Sequence, residues 1–284
     1  MQTGSKILPA GIRTGAPPLL SKFDIDAARL ISRMTVTPSY ELSKLINKTF
    51  IDLKSAGIYS SLVQFTKANI HNETDAKLNW VSTLFPITTV GSPTFTAKSG
   101  WKTTTSKYLK AGFIPSTQIK LGIIGEQDCG FLIDKTGSTG ELQIYKIHGC
   151  FKYEDNTLRF QFNNYTVTNK KCNGYLNCST NGTINKDLDV ASVNGIFYLE
   201  RIGGKIKGYY EKIEVSDYDV ITSSALVDQE LYYGALHTEP INGVGWYSNE
   251  YIRTIVLCRY LGPTKQALLY DIIKYFNDNV GNTF

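Results

Sequence analysis

Hydrolysis of a glycosidic bond needs two carboxyl groups about 5 to 9.5 Å apart. On a β-strand only alternate positions put neighbouring side chains on one face. No Glu-x-Asp-x-Glu run occurs in this chain of 284 residues. Glu211 and Glu214 are spaced by three, which on a strand sends their carboxylates to opposite faces, so a solvated edge is expected there. His71, His148 and His237 are the 3 histidines, and none has a second His or a Cys at metal-ligand spacing. They read as ordinary loop or strand residues. Asp187-Leu188-Asp189 and Asp217-Tyr218-Asp219 could lend oxygens to calcium, but neither has the Asn, Asp and Gly density of a dedicated loop. Gly203-Gly204 reads as a hairpin turn rather than a phosphate cradle, because no helix follows it. The expectation is therefore no catalytic residue, no metal and no cofactor, and a chain that is not an enzyme.

Two features could bind rather than react. Trp246 and Tyr247 sit in the Gly-rich run INGVGWYSNEY with Tyr251 close by. Exposed rings of this kind stack on sugars, which makes the three a candidate glycan contact. The competing and stronger reading is that they pin a loop to the core or fill a subunit interface. The other feature is an extended arm, residues 1 to 22, where Pro9, Pro17, Pro18, Gly4, Gly11 and Gly15 leave no room for a helix or strand. It carries Lys6, Arg13 and Lys22 without an acid and interleaves Ile7, Leu8, Ile12, Leu19 and Leu20. Either it lies across its own domain, or Ile7, Leu8, Ile12, Arg13, Leu19 and Leu20 form an assembly anchor that orders against another subunit.

The formal charge of +5 is spread along the chain, without the dense basic stripe that phosphate neutralisation requires, so nucleic acid is not an expected partner. No apolar run approaches the roughly 20 residues that span a bilayer, so no membrane insertion is expected. The glycines and prolines of the arm interrupt the apolar region a signal peptide would need. A cytosolic origin follows, and in it the 5 cysteines are expected as free thiols. Cys172 and Cys178 are the one pair that could close a small loop by oxidation.

The elements that must position these residues read as mainly β. Tyr (18) and Phe (13) are abundant and Met (2) scarce, a balance that suits pleated surfaces. The patterning predicts a short helix over Phe23 to Met34. A second helix is expected with Thr37 as cap and Pro38 at its first position, running to Gly57 with Leu42, Leu45, Ile46, Phe50 and Leu53 on one face. Strands are expected at Leu62–Phe65, Ser92–Thr96, Ile119–Ile124, Phe131–Ile133, Leu142–Ile147, Thr157–Phe162, Ile196–Arg201, Ile206–Tyr210, Leu231–Ala235 and Thr254–Tyr260. Asn72 to Trp80 reads as a capped turn or short helix, and residues 168 to 195 as a long polar loop. A closing helix is capped by Thr264, with Leu268, Leu269, Ile272, Ile273 and Phe276 on one face, and stops at Gly281. Short strands without helices between them imply an antiparallel β-sandwich with flanking helices. The organisation expected is an arm (1–22), a helical segment (23–57) and a jelly roll with its closing helix (58–284).

The order of these pieces resembles phage virion proteins with a concanavalin A-like, LamG-type jelly roll, as in crAss-like phages of Bacteroidetes. Three stretches carry the resemblance: INKTFIDLKSAGIYSSLVQF (Ile46 to Phe65), Lys77 to Thr117 with its "NW", "SPTFT" and "YLKAGFIPST" elements, and ERIGGKIKGYYEKIE followed by TIVLCRYLG and the closing helix. The chain departs from the pattern at Tyr210-Glu211-Lys212, where an Asn-Gly turn is usual, and in its long 168–195 insertion. The resemblance implies a structural part of a phage particle: a head fibre, capsid decoration or tail component in the virion, assembled in the host cytoplasm. It implies other virion proteins as partners and a homo-oligomer, trimer or dimer. The alternative is a carbohydrate-binding module that recognises host surface glycans.

Overall fold

The computed structural model describes residues 22–137, 146–152, 158–164, 172–178, 183–184, 194–219, 226–239, 243–245 and 247–283. The chain opens with α1 (Ile25–Arg33), α2 (Tyr40–Ser55), β1 (Leu62–Lys67), β2 (Thr88–Val90), β3 (Thr94–Thr96), β4 (Gly100–Lys102), β5 (Tyr108–Lys110) and α3 (Pro115–Lys120). It continues with β6 (Asp128–Thr136), β7 (Lys146–Lys152), β8 (Leu158–Asn164), β9 (Cys172–Cys178) and β10 (Thr183–Ile184). The hairpins β11 (Gly195–Ile202), β12 (Lys205–Tyr210) and β13 (Ile213–Asp219) follow. It closes with β14 (Tyr232–Tyr233), β15 (Leu236–Glu239), β16 (Gly243–Gly245), β17 (Tyr251–Cys258) and α4 (Pro263–Val280).

The strands form two sheets and the helices a third layer. One sheet runs β13-β12-β11-β6-β17-β4-β3, with β1 also paired to β17; the other runs β10-β9-β8-β7-β14-β5-β2, with β15 and β16 attached. The expected mainly β sandwich with helices before and after it is present. It is not wholly antiparallel, because β15 lies parallel to β7.

The central strands of the first sheet, β11, β6 and β17, are buried on both faces. Along β6, Phe131 meets Tyr233 of the second sheet with ring centroids 5.9 Å apart. Three positions on, Asp134 on the opposite face accepts from Asn277 of α4 at 2.8 Å. Strand alternation sorts one chain segment between two interfaces in this way. The helical layer is sealed by aromatic contacts: Trp80 stacks on Phe50 of α2 at 6.3 Å and meets Phe276 of α4 edge-on at 5.4 Å.

Several sequence expectations are corrected. Ile119–Ile124 is not a strand: Pro115 opens α3 at its first position, where a missing N–H costs nothing, and Gly122 turns the chain out with φ +68. The 168–195 segment is not simply a polar loop, since β9 and β10 lie within it. Their alternation of Asn and Cys with Tyr, Leu and Ile carries little apolar signal. The α2 cap is Ser39, whose hydroxyl accepts from Leu42 N–H, not Thr37. The α4 cap is Gly262, with Pro263 and not Thr264 first in the helix. Leu231–Ala235 breaks at Gly234, φ +79, and β17 begins at Tyr251 and ends at Cys258. Part of Leu142–Ile147 and the N-terminal arm, with its anchor residues Ile7, Leu8, Ile12, Arg13, Leu19 and Leu20, lie outside the described residues. Glu211 is not on a strand but in the two-residue turn between β12 and β13 at φ +57, where its carboxylate accepts from Ile196 N–H at 3.2 Å.

Cys172 and Cys178 stand at opposite ends of β9. An extended strand of that length separates them by about 20 Å, far beyond the roughly 7 Å limit for a disulfide. Cys129, Cys150 and Cys258 are free and buried.

Phe276 is fully buried, so Phe276→Ala is expected to cost about 3–5 kcal/mol, read from the midpoint shift in urea denaturation. A change below about 1 kcal/mol would mean that α4 does not seal the sheet.

Candidate functional site

Strand alternation builds a second apolar cluster, set apart from the core, on the outer face of the second sheet. In β5, Leu109 faces the core while Tyr108 and Lys110 face away; in β14, Tyr233 faces the core and Tyr232 away. Register brings Tyr108 opposite Val90 of β2 and Lys110 opposite Tyr232. Tyr108 and Tyr232 lie 4.9 Å apart. His237 of β15 stacks on Tyr232 at 4.4 Å with the ring planes nearly parallel. Tyr247 closes the patch 6.2 Å from Tyr108, its hydroxyl donating to Val244 C=O at 3.1 Å.

Charge rims this patch. Lys110 Nζ stands 5.3 Å over the Tyr232 ring and 3.6 Å from Glu230. Glu230 also accepts from Gly112 N–H at 2.8 Å. Burial first, and the neighbouring Tyr232 next, raise the Tyr108 phenol above its ordinary pKa, so it remains a neutral donor. The arrangement is a small cluster with Tyr108 and Tyr232 buried and with the part-exposed rings of Tyr247 and His237, one cation and one anion at its edge. Part-exposed rings of this kind can stack on the apolar face of a sugar ring, and the charges beside them can hydrogen-bond its hydroxyls.

Beneath the patch the two sheets share a buried ionic group. Glu250, just before β17, lies 2.7 Å from Lys135 Nζ and 2.8 Å from His148 Nε2, with all three side chains fully enclosed. Burial alone would push the Glu250 carboxyl up, but the Lys135 charge and the adjacent His148 outweigh it and hold Glu250 well below the usual carboxylate range. Gly234 N–H donates to His148 Nδ1 at 2.9 Å. The ring proton therefore sits on Nε2, which lies 2.8 Å from Glu250 without hydrogen-bond alignment.

Two further polar groups face the helices. Lys67 Nζ donates to Thr254 Oγ1 and to Asn277 Oδ1, both at 2.7 Å. Thr254 and Asn277 in turn donate to Asp134, which also holds Arg253. Glu200 accepts from Tyr209 Oη at 3.0 Å, Tyr198 Oη at 3.2 Å and Gly262 N–H at 3.1 Å. It thus supplies the acceptor that the α4 N-terminus lacks in its own glycine cap. The buried Glu200 and Glu250 each take hydroxyl, cationic or backbone partners.

Of the residues singled out as a glycan contact, Tyr247 belongs to the outer patch. Tyr251 stands elsewhere, on β17 of the other sheet opposite Lys102, whose Nζ is 5.4 Å from its ring. Trp246 lies outside the described residues, as do Asp187 and Asp189. Asp217 and Asp219 face Lys205 at 3.6 and 3.7 Å. Among the described residues no three His, Cys, Asp or Glu side chains cluster as for a metal, and no helix is long and apolar enough to cross a membrane. Sequence reading missed Tyr108, Lys110, Glu230, Tyr232 and His237. The signal that could have found them is the outward parity of Tyr108-Leu109-Lys110 set beside Tyr232-Tyr233.

No protein-family model matches the sequence, and no curated protein matches it either. The fold is similar to solved structures. A mutant of Trypanosoma rangeli sialidase displaying trans-sialidase activity aligns at a TM-score of 0.54 and 10% identity, over 82% of this chain and 39% of the sialidase. The same sialidase in complex with sialic acid gives a TM-score of 0.54 at 10% identity over the same shares, 82% and 39%. The botulinum neurotoxin serotype D binding domain aligns at 0.50 and 11% identity, over 76% of this chain and 52% of that one. This chain thus spans about two-fifths of the sialidase's length. The likeness is one of fold: a β-sandwich. It also overturns the expectation that the chain is not an enzyme. The same sandwich occurs in chains named as sialidases, so the lack of an alternating acid run on one strand excludes no catalysis.

Burial lowers the pKa of Lys67 to about 7, with Asp134 opposing that shift and Arg253 adding to it. The unfolded lysine keeps its proton to about pH 10.4. Between these values the unfolded chain binds more protons, so stability rises with pH. The stability of wild type relative to Lys67→Met is expected to increase from about pH 7 to about pH 10 in urea titrations. A pH-independent difference would show that Lys67 titrates as it does in water.

Proposed function

We propose that this chain is a recognition sandwich that binds carbohydrate through the outer patch of Tyr108, Lys110, Glu230, Tyr232, His237 and Tyr247. The observation that carries this reading is a small aromatic cluster set apart from the main core, in which Tyr108 and Tyr232 are buried while Tyr247, His237, Lys110 and Glu230 stand part-exposed at its rim. Part-exposed rings beside a cation and an anion are the kind of edge on which a sugar can stack. The sialidase and toxin binding-domain structures support the fold on which such a patch is displayed. On a glycan array the wild type is expected to bind a defined set of sugars. Tyr247→Ala with Lys110→Ala is expected to weaken that binding by at least about tenfold, or roughly 1.4 kcal/mol, with little change in melting temperature. An array with no wild-type binding would end this reading.

A second reading places the same sandwich on a phage particle as a head fibre, capsid decoration or tail component. It is favoured by the order of the three matching stretches, which fall on α2 running into β1, on the segment from the turn before β2 to α3, and on the β11–β12–β13 hairpins with β17 and α4. The patch would then face the host while residues 1–22 attach to other virion proteins, in a homo-oligomer. Deleting residues 1–22 is expected to leave a folded sandwich that no longer joins particles when supplied in place of the full chain. Normal incorporation of the truncated protein would refute the anchor.

A further inference from the structure

Tyr232 and His237 stack on each other across a corner of the chain, and that corner is Gly234. Its φ of +79 suits glycine, and a Cβ added there would lie 2.4 Å from the Thr103 side chain. The corner is therefore tightly seated. Its buried N–H reaches inward and donates to Nδ1 of His148. His148 sits on β7, whose neighbouring Gly149 pairs with both Tyr232 and Leu236. One imidazole thus touches the turn that fixes the two stacked rings on the other side of the sheet.

We propose that His148 is a positioning residue for the outer patch, and that a proton taken up at its Nδ1 releases the Gly234 corner and loosens the Tyr232–His237 stack. The chemistry is that of a donor meeting a donor. Neutral His148 accepts at Nδ1 and donates from Nε2; the imidazolium carries hydrogens on both nitrogens and can accept nothing. Protonation therefore removes the acceptor from a buried N–H.

The groups facing the ring set the terms. Glu250 lies against Nε2 and would steady an imidazolium, while Lys135, bound to the same carboxylate, opposes it. Cys150 follows on the same face of β7, buried and held as a neutral thiol by burial first and by Asp228 and Glu230 next. The bond from Gly234 N–H to Nδ1 is the geometry of a neutral, accepting ring, and acid is what would change it.

As regulation of the carbohydrate patch, this inference rests on the reading above; as a coupling between His148 and the Gly234 corner, it is tested without any sugar. The Gly234 amide is followed by nitrogen-15 NMR in the full chain from about pH 7.5 to about pH 5, where imidazoles titrate. Its resonance is expected to move along one titration curve shared with the Tyr232 and His237 signals. Its hydrogen exchange is expected to accelerate at least about tenfold relative to the Leu257 amide at the same pH, while the backbone circular dichroism stays constant. His148→Asn, whose Oδ1 can accept the same bond without titrating, is expected to flatten the curve. A Gly234 amide that stays protected and unshifted overturns the proposal, as does global unfolding before it moves. Should His148→Asn fail to fold, the wild-type titration decides alone. A null glycan array beside an intact Gly234 titration would sink only the carbohydrate reading, and sugar binding beside a silent Gly234 would sink only this one.

Discussion

Everything in this fold follows from central strands that have no wet face. The β6, β11 and β17 strands are buried against the second sheet on one side and against helices on the other, so each residue along them needs a dry partner whichever way it points. Most of these residues are Val, Ile, Leu, Phe and Tyr, as a two-sided interior requires. Charged residues among the exceptions come with partners: Lys135 with Glu250, Asp134 with Arg253, Glu200 with two tyrosine hydroxyls. Removing one member of such a group would strand the other in a low-dielectric interior, which costs far more than the pair contributes over an apolar replacement. These groups therefore fix register and helix position more than they add stability.

That constraint explains why the architecture could be read from the sequence while its interior chemistry could not. Runs such as Phe131-Leu132-Ile133 and Ile255-Val256-Leu257 announce buried strands, and Leu42, Leu45, Ile46 and Phe50 announce an amphipathic helix. Charged residues in those runs carry no mark of their partners. Lys135 and Glu250 are separated by 115 positions, and nothing local in either segment names the other. His148 looked like an ordinary strand residue for the same reason. Segments where propensity and context disagree were the ones misread: Ile119–Ile124 is β-branched and apolar, but the proline at 115 and the glycine at 122 bracket a helix instead.

The candidate patch was half legible. Tyr247 was reached from its Gly-rich surroundings, but its companions come from β2, β5, β14, β15 and β16, and only strand pairing assembles them. Pairing also separates Tyr251, on β17 of the first sheet, from Tyr247, four positions earlier, which packs on the outer cluster of the second. The comparisons add the sandwich and nothing about its ligand, since a fold shared at one-tenth identity constrains backbone paths and leaves the surface free to vary. Recognition therefore has to be argued from the rings and charges themselves.

Strand β1 finds its partner in β17, and Lys67 meets Thr254 across 187 positions of chain. A ribosome releases the first of these strands long before the second exists. Until the last helix arrives, the nascent chain holds an apolar ribbon with an open edge, along with carboxylates that will later be enclosed. Closing so distant a pair makes final assembly slow and late. In the interval before it closes, the open edge and its apolar ribbon are the part of the chain most exposed to aggregation.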